Sequence, residues 1–342
     1  MTKLGMRFQQ ITGVPHDDAV CWREVEEWLR AGEIVRALEH CCLGLMGYYY
    51  SGMLDVGTDL VQVSGRFEIH LEMLEVDQLT AFRQEVDPDD VQERVEVFRS
   101  VFGVDSECHD DDLVSAARTS LALDRMAREH SLGMMAYYYK GSGVRENADT
   151  VRSIIFGTSL LTPAGVPVAG EYEVKNVVAM KILDLLGAGG SFTEYYAVDF
   201  NADTVLMGHD GPGHPGIASS KLRIRPLHVY HGKVGRGLFI ETSVRHGAVT
   251  LLSLVEDYEH GFKLLIAGRG ERARRDPENQ QHQQPLPVPD WSKKIYRVLE
   301  CSGPGTSLRC RIRPPWESAC QAGVASAIAH RSNLLNDAIG LT

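Results

Sequence analysis

The stretch that decides the fold is CCLGLMGYYYSG, residues 41–52. An uncharged apolar run that passes into tyrosines, serine and glycine is typical of a buried parallel strand that ends in a loop. A similar stretch, GMMAYYYKG, returns at residues 133–141. The two copies predict two strands of one sheet. Ligands of such sheets bind at the carboxyl ends of the strands, which is where both tyrosine segments would lie.

Helices and strands alternate around the two copies. The spacing of apolar residues predicts these further elements: helices over 17–38, from Asp87-Pro88 onward, over about 112–130 and over 172–186, and a strand over 68–76. Such alternation predicts an α/β fold with a doubly wound, Rossmann-like parallel sheet.

The pattern changes after residue 190. Six short apolar segments between residues 191 and 267 are separated by Gly, Asp or His turns, which indicates an antiparallel, β-barrel-like C-terminal domain. From about residue 272 the chain is rich in proline and has little periodicity, so we expect a poorly ordered tail. The predicted division is therefore 1–38, 39–190, 191–271 and 272–342.

Composition limits the classes of partner and compartment. The 342 residues carry 35 Lys and Arg against 46 Asp and Glu, a net charge of −11, which argues against nucleic acid or an anionic membrane as the main partner. The chain has no apolar run of membrane-spanning length and no signal-peptide pattern at its amino terminus. Its seven scattered cysteines include no C-x-x-C pair, so we expect buried thiols rather than a zinc cage, and a cytoplasmic location.

Three polar residues stand out as candidate site residues. Glu171 precedes a predicted helix, where it would either cap the helix or bind a cation. Glu194 alternates with apolar residues of a strand, which is costly for a carboxylate unless it is paired or bound to a cation. His209 is surrounded by glycines, which allow a ligand to approach closely.

Two carboxylates and an imidazole suit Mn²⁺ or another divalent cation, and carboxylates near a metal can also carry protons. Separate structural roles for the three residues stay open at this point, because proximity in sequence does not establish proximity in space. Glu173 is the alternative ligand if the helix begins one turn later. No dinucleotide-binding or P-loop motif is present, which argues against a nucleotide-binding protein.

Three motifs follow one another in order: Gly170-Glu171-x-x-x-Lys175, Gly189-Gly190-Ser191-Phe192-x-Glu194-x-Tyr196, and Gly208-His209. Together with residues 52–56, the strand over 68–76 and the segment 229–271, they resemble the L-arabinose isomerases of the arabinose/fucose isomerase superfamily. The resemblance spans about residues 6–270.

The resemblance implies a metal-dependent aldose–ketose isomerase that uses Mn²⁺ and moves a proton between C1 and C2 of an open-chain sugar through an enediol. By the same carry-over, Glu171 and Glu194 would be metal ligands and the acid/base pair, and His209 would be a third ligand. Homo-oligomers are the habit of the family. A non-catalytic descendant that binds a carbohydrate or a protein partner through the same cleft is the alternative.

The sequence departs from the family pattern at both ends. Family members have a Rossmann-like domain ahead of this segment, of which residues 1–38 would be the trailing helix. Their fourth metal ligand lies in a His-His motif that this chain lacks, and His330 is a poor substitute. A frameshift near residues 270–278 is one hypothesis for the atypical tail. We therefore expect a chain that is truncated or inactive relative to the family.

Other aromatic and imidazole residues have two interpretations each. Tyr48, Tyr49 and the tyrosines at 137–139 would face a sugar or pack in the core. His228 and His231 are expected to be surface or supporting groups. His214 would either bind a sugar hydroxyl or belong to a plain turn at Pro215.

Overall fold

The computed structural model describes residues 10–14, 16–141, 143–199, 204–219, 222–227, 236–245, 249–257, 261–269 and 284–287. The elements before residue 142 are, in chain order, α1 (Ala19–Glu39), β1 (Cys42–Gly47), α2 (Leu60–Phe67), β2 (His70–Leu74), α3 (Val76–Glu85), α4 (Pro88–Val101), β3 (Gly103–Val104), α5 (Asp110–Glu129) and β4 (Met134–Tyr138). Those after it are α6 (Arg145–Arg152), α7 (Ile154–Leu161), β5 (Val168–Ala169), α8 (Val174–Leu185), β6 (Glu194–Asp199), β7 (Thr204–Gly208), β8 (Arg223–Leu227), β9 (Gly237–Glu241), β10 (Val249–Asp257), β11 (Gly261–Arg269) and β12 (Gln284–Pro287).

A four-stranded parallel sheet in the order β2-β1-β4-β5 forms the centre of the α/β fold. Its two middle strands are the two copies found in the sequence, so their place in one sheet is confirmed, and the structure shows in addition that they are paired neighbours. Gly47 ends β1 with a φ of 87°, and a Cβ there would collide with the carbonyl oxygen of Tyr138. Glycine at this position therefore lets the ends of β1 and β4 approach each other.

The helix predicted at Asp87-Pro88 is confirmed as α4. The Asp87 side chain accepts a hydrogen bond from the Asp89 N–H at 2.8 Å, and Pro88 occupies the first helical position, where a missing N–H costs nothing. The predicted apolar face, Val91, Val95 and Phe98, is buried.

The strands of the C-terminal region form antiparallel pairs, β6 with β7, β8 with β9 and β10 with β11. β3 adds to β8 in parallel, and the side chains of Phe98 and Phe156 share one apolar cluster with Ile224 and Leu238. The segments 39–190 and 191–271 are thus joined through a sheet and through their packing.

The predicted tail contains one described strand, β12, which pairs with β7. The rest of segment 272–342 lies outside the described residues, as do His228, His231 and His330. None of the helices in the described ranges is both long and apolar enough to cross a membrane.

Candidate functional site

Glu171 lies at the carboxyl end of the parallel sheet. It follows β5 by one residue, its carbonyl oxygen accepts a hydrogen bond from the Tyr50 N–H at 3.1 Å, and the next N–H, of Tyr172, donates to the carbonyl oxygen of Tyr137 at 3.0 Å. The loop after β5 is therefore bonded to the ends of both β1 and β4. This is the edge at which the sequence predicted a ligand site.

Glu173, not Glu171, caps α8. Glu171 and Tyr172 have φ values of 59° and 63°, which helical residues cannot adopt, so the helix begins only after them. The Glu173 carboxylate accepts a hydrogen bond from the Lys175 N–H at 3.1 Å and lies 3.3 Å from Lys175 Nζ. The capping interpretation of Glu171 is wrong for this backbone reason, and Glu173, the alternative ligand, has a structural partner.

The pairing of β6 with β7 brings Glu194 and His209 together. Glu194 is opposite Gly208 in the register, and its Oε2 lies 3.6 Å from Nδ1 of His209. This separation is within ion-pair range but too long for a hydrogen bond. A bulge at Tyr196, which is 37% exposed, interrupts the alternation from which Glu194 was expected to follow an apolar face.

The His209 ring also lies against the backbone that carries Glu171. It packs edge-on to Phe192 with ring centroids 4.2 Å apart, and a Cβ at Gly170 would be only 3.3 Å from His209 Nε2. The structure therefore brings Glu171, Glu194 and His209 from three separate segments into one place.

Buried atoms of this group have no hydrogen-bond partner among the described residues. They are Oε2 of Glu171 and both ring nitrogens of His209. Burying such atoms without a partner is unfavourable, because they lose their bonds to water and gain none in return. Buried polar atoms without partners, from two neighbouring residues, favour a ligand or ion at this place.

The same surroundings change the acidity of Glu171. Burial first, and then the negative charges of Glu194, Glu173 and Asp55, together raise the pKa of its carboxyl to about 7. Glu171 is thus a carboxyl group that can both hold and release a proton near neutral pH.

The three residues fit a divalent cation by the chemistry of their donors, and Glu171 and His209 fit it also by their unpartnered buried atoms. Their side-chain positions do not yet form such a site, because the described residues contain no group of three or more His, Cys, Asp or Glu side chains close enough together to hold one ion.

The tyrosines of the two copies pack mainly on one another. Tyr137 and Tyr138 are buried, whereas Tyr48 and Tyr49 are 44% and 51% exposed. The Tyr138 ring lies 5.1 Å from that of Tyr50 and 5.7 Å from that of Tyr48. Core packing is therefore confirmed for Tyr137 and Tyr138, and the exposed pair stays available at the sheet edge.

Lys175 is a residue whose role the sequence did not reveal. Its buried Nζ donates to the carbonyl oxygens of Asp55 and Gly57 at 2.7 and 3.3 Å and to Thr58 Oγ1 at 2.9 Å. It thereby fixes the loop that holds Asp55 near Glu171. The only signal was its place in the Glu171-x-x-x-Lys175 motif.

His214 belongs to a turn. Its Nδ1 accepts a hydrogen bond from the Gly216 N–H at 3.1 Å and so caps a short 3₁₀ helix, Pro215–Ile217. Burial lowers the pKa of the His214 imidazole to about 4. The turn interpretation of His214 is confirmed.

A scan against models of known protein families finds no match for this chain, and a search of curated proteins finds none either.

Proposed function

We propose that this chain is a metal-dependent aldose–ketose isomerase of the L-arabinose/L-fucose isomerase type. The observation that carries the proposal is the meeting of Glu171, Glu194 and His209, two of which have buried atoms without partners. The proposal includes the fold of that family, which is a doubly wound Rossmann-like sheet followed by an antiparallel, barrel-like C-terminal domain.

Glu171, Glu194 and His209 would hold Mn²⁺ or another divalent cation. Two carboxylates and one imidazole are donors that such an ion accepts. When bound, the ion supplies positive charge that stabilises negative charge developing on the sugar oxygens.

Glu171 and Glu194 would act as the acid/base pair. Before a cation binds, the Glu171 carboxyl, with a pKa of about 7, is present in both protonation states at neutral pH, so it can exchange a proton with a sugar carbon or oxygen. Burial first, and then the negative charge of Glu194, raises the pKa of Glu171, which separates the two carboxyl groups into acid and base.

The substrate would be a small-molecule sugar in its open form. Homo-oligomer formation is proposed from the resemblance, and a cytoplasmic location is proposed from the scattered cysteines. Neither nucleic acid nor a membrane is proposed as a partner, given the net charge of −11.

The test is a ketose-formation assay on the full chain with a set of aldoses, with and without added Mn²⁺. We expect turnover that requires Mn²⁺ and is lost in Glu194→Gln. Turnover should be unchanged in Glu72→Gln, the matched control, because Glu72 is also paired with a histidine, His130. Sugar binding without turnover would contradict the isomerase and favour the non-catalytic carbohydrate-binding alternative. Turnover that survives in Glu194→Gln would contradict the assigned residues.

A further inference from the structure

A second polar cluster lies between helices α3, α5 and α6, and it includes none of Glu171, Glu194 and His209. Arg83 of α3 is half-buried and reaches α5, where its Nε donates to Thr119 Oγ1 at 3.0 Å and its Nη2 donates to Ser115 Oγ at 2.9 Å. Both partners are neutral hydroxyls. In the part of the chain that the structure describes, no carboxylate is hydrogen-bonded to this guanidinium.

A second arginine stands on the same face of α5. Arg118 lies three residues after Ser115 and directly before Thr119, and it is half-buried. Residues three apart on a helix share a face. Arg118 forms no hydrogen bond or ion pair with any of the described residues.

A third arginine comes from α6. Thr119 Oγ1 lies 2.6 Å from the hydroxyl of Ser153, and the residue before Ser153 is Arg152. Arg152 Nη2 is paired with Asp149 at 2.6 Å. Three helices, α3, α5 and α6, therefore meet at the Thr119 and Ser153 hydroxyls, and the charges of Arg118 and Arg152 both act on Arg83 there.

The charges around Arg83 are out of balance. Burial lowers the pKa of Arg83 most, the positive charges of Arg118 and Arg152 lower it as well, and the negative charge of Asp149 raises it. A partly buried cation among other cations is unfavourable unless an anion is added. In a chain whose net charge is −11, an excess of positive charge at one place is also unusual.

We infer that Arg83, Arg118 and Arg152 form a binding site for a phosphate group. The planar guanidinium fork matches the oxygens of phosphate with paired hydrogen bonds, and a doubly charged anion would neutralise the excess of positive charge. The hydroxyls of Ser115 and Thr119 hold the Arg83 fork in place and leave its other N–H groups for the anion. The phosphate is either inorganic or carried by a small organic molecule.

The test is calorimetric titration of the full chain with inorganic phosphate at constant ionic strength, kept with NaCl. Arg118→Gln is the diagnostic variant, because Arg118 has no described partner to lose. Arg66→Gln on α2 is its control, since it makes the same change of net charge at an exposed arginine. We expect phosphate to bind the parent chain and the Arg66→Gln variant, and affinity to fall by at least roughly tenfold in Arg118→Gln.

A parallel titration with ribose 5-phosphate distinguishes the two sources of phosphate. Tighter binding than inorganic phosphate identifies an organic phosphate ester as the ligand, and equal or weaker binding identifies the free ion. No binding up to millimolar concentrations, or equal binding by the Arg118→Gln and Arg66→Gln variants, would overturn the site. Self-association that disappears in Arg118→Gln, without any phosphate binding, would overturn it in favour of an acidic surface on a second copy.

Discussion

Two Glu–His pairs of the described residues, Glu72 with His130 and Glu194 with His209, have different surroundings. His130, at the end of α5, has both ring nitrogens in use: Nδ1 lies 2.8 Å from Glu72 Oε1, and Nε2 lies 2.8 Å from the Gln78 amide nitrogen. The hydrogen bond from His130 holds the pKa of the Glu72 carboxyl below its usual value. This pair meets its own hydrogen-bonding needs, so it requires nothing from outside.

His209 is more deeply buried than His130 and yet has fewer hydrogen-bond partners. Its side chain is 8% exposed, against 18% for His130, and neither ring nitrogen has a hydrogen-bond partner among the described residues. The nearest carboxylate oxygen, of Glu194, is 3.6 Å away. A Glu–His pair is therefore not by itself a functional site. The unmet hydrogen bonds of His209 distinguish the Glu194–His209 pair from the structural Glu72–His130 pair.

The largest expected effect separates the two histidines by function. His209→Gln should lower Mn²⁺-dependent turnover roughly a hundredfold or more, because it removes a proposed ligand. Any loss of stability should come from the packing of the ring on Phe192, because the ring has no hydrogen bonds to lose. His130→Gln should leave turnover unchanged and lower the free energy of unfolding by about 1 kcal/mol. Steady-state assays and urea denaturation of both variants measure this, and equal losses in both would end the distinction.

Lys175→Met sharpens the contrast between Glu171 and its partnered neighbour Glu173. The change leaves the buried Glu173 carboxylate unpaired, so we expect the free energy of unfolding to fall by about 4 kcal/mol. The double variant Glu173→Gln with Lys175→Met is the control, and it should recover part of the loss because no charge is left unpaired. Denaturation of the single variant at the parent midpoint would show that the pair contributes nothing.

His214 predicts a loss of stability in acid. Its pKa of about 4 in the fold is below the ordinary 6.5, so the fold favours the neutral ring. The stability from this residue is complete above pH 6.5 and is lost as the pH falls towards 4, about 3 kcal/mol in all. His214→Asn keeps a capping acceptor and should lack this dependence. Parallel pH curves for the parent and the variant would contradict the assignment.

The smallest expected effect is on the acidity of Glu171. Glu194→Gln removes a negative charge that raises the Glu171 pKa, so that pKa should move from about 7 towards its usual 4.5. Glu72→Gln should not move it. Carbon-detected NMR titration of the glutamate carboxyls measures both, and an unmoved pKa in Glu194→Gln would mean that the two carboxylates are not coupled.

The sequence was a good guide where one face of an element is apolar or a run is wholly apolar and short. The place of β1 and β4 in one sheet and the buried face of α4 followed from such patterns. α7 was missed because every residue of it is buried, which removes the helical alternation of apolar and polar positions. β5 was missed because a two-residue strand is defined only by its distant partner, β4.

For the candidate site, the sequence pointed to three residues that lie near one another in the fold, but it did not predict their geometry. Glu171 and Glu173 have the same side chain and are two residues apart, and the positive φ values of Glu171 and Tyr172 decide which of them caps α8. Nothing in a polar residue type signals such backbone angles in advance. The contact of Glu194 with His209 depends on strand register, which a bulge can shift.

The most direct test of the central claim is calorimetric titration of the full chain with Mn²⁺, with Glu194→Gln and Glu72→Gln as matched variants. We expect the parent chain and the Glu72→Gln variant to bind Mn²⁺, and the Glu194→Gln variant to have lost Mn²⁺ binding. Absence of binding in a folded parent chain, or binding that is the same in both variants, would contradict the claim that Glu171, Glu194 and His209 form a metal site.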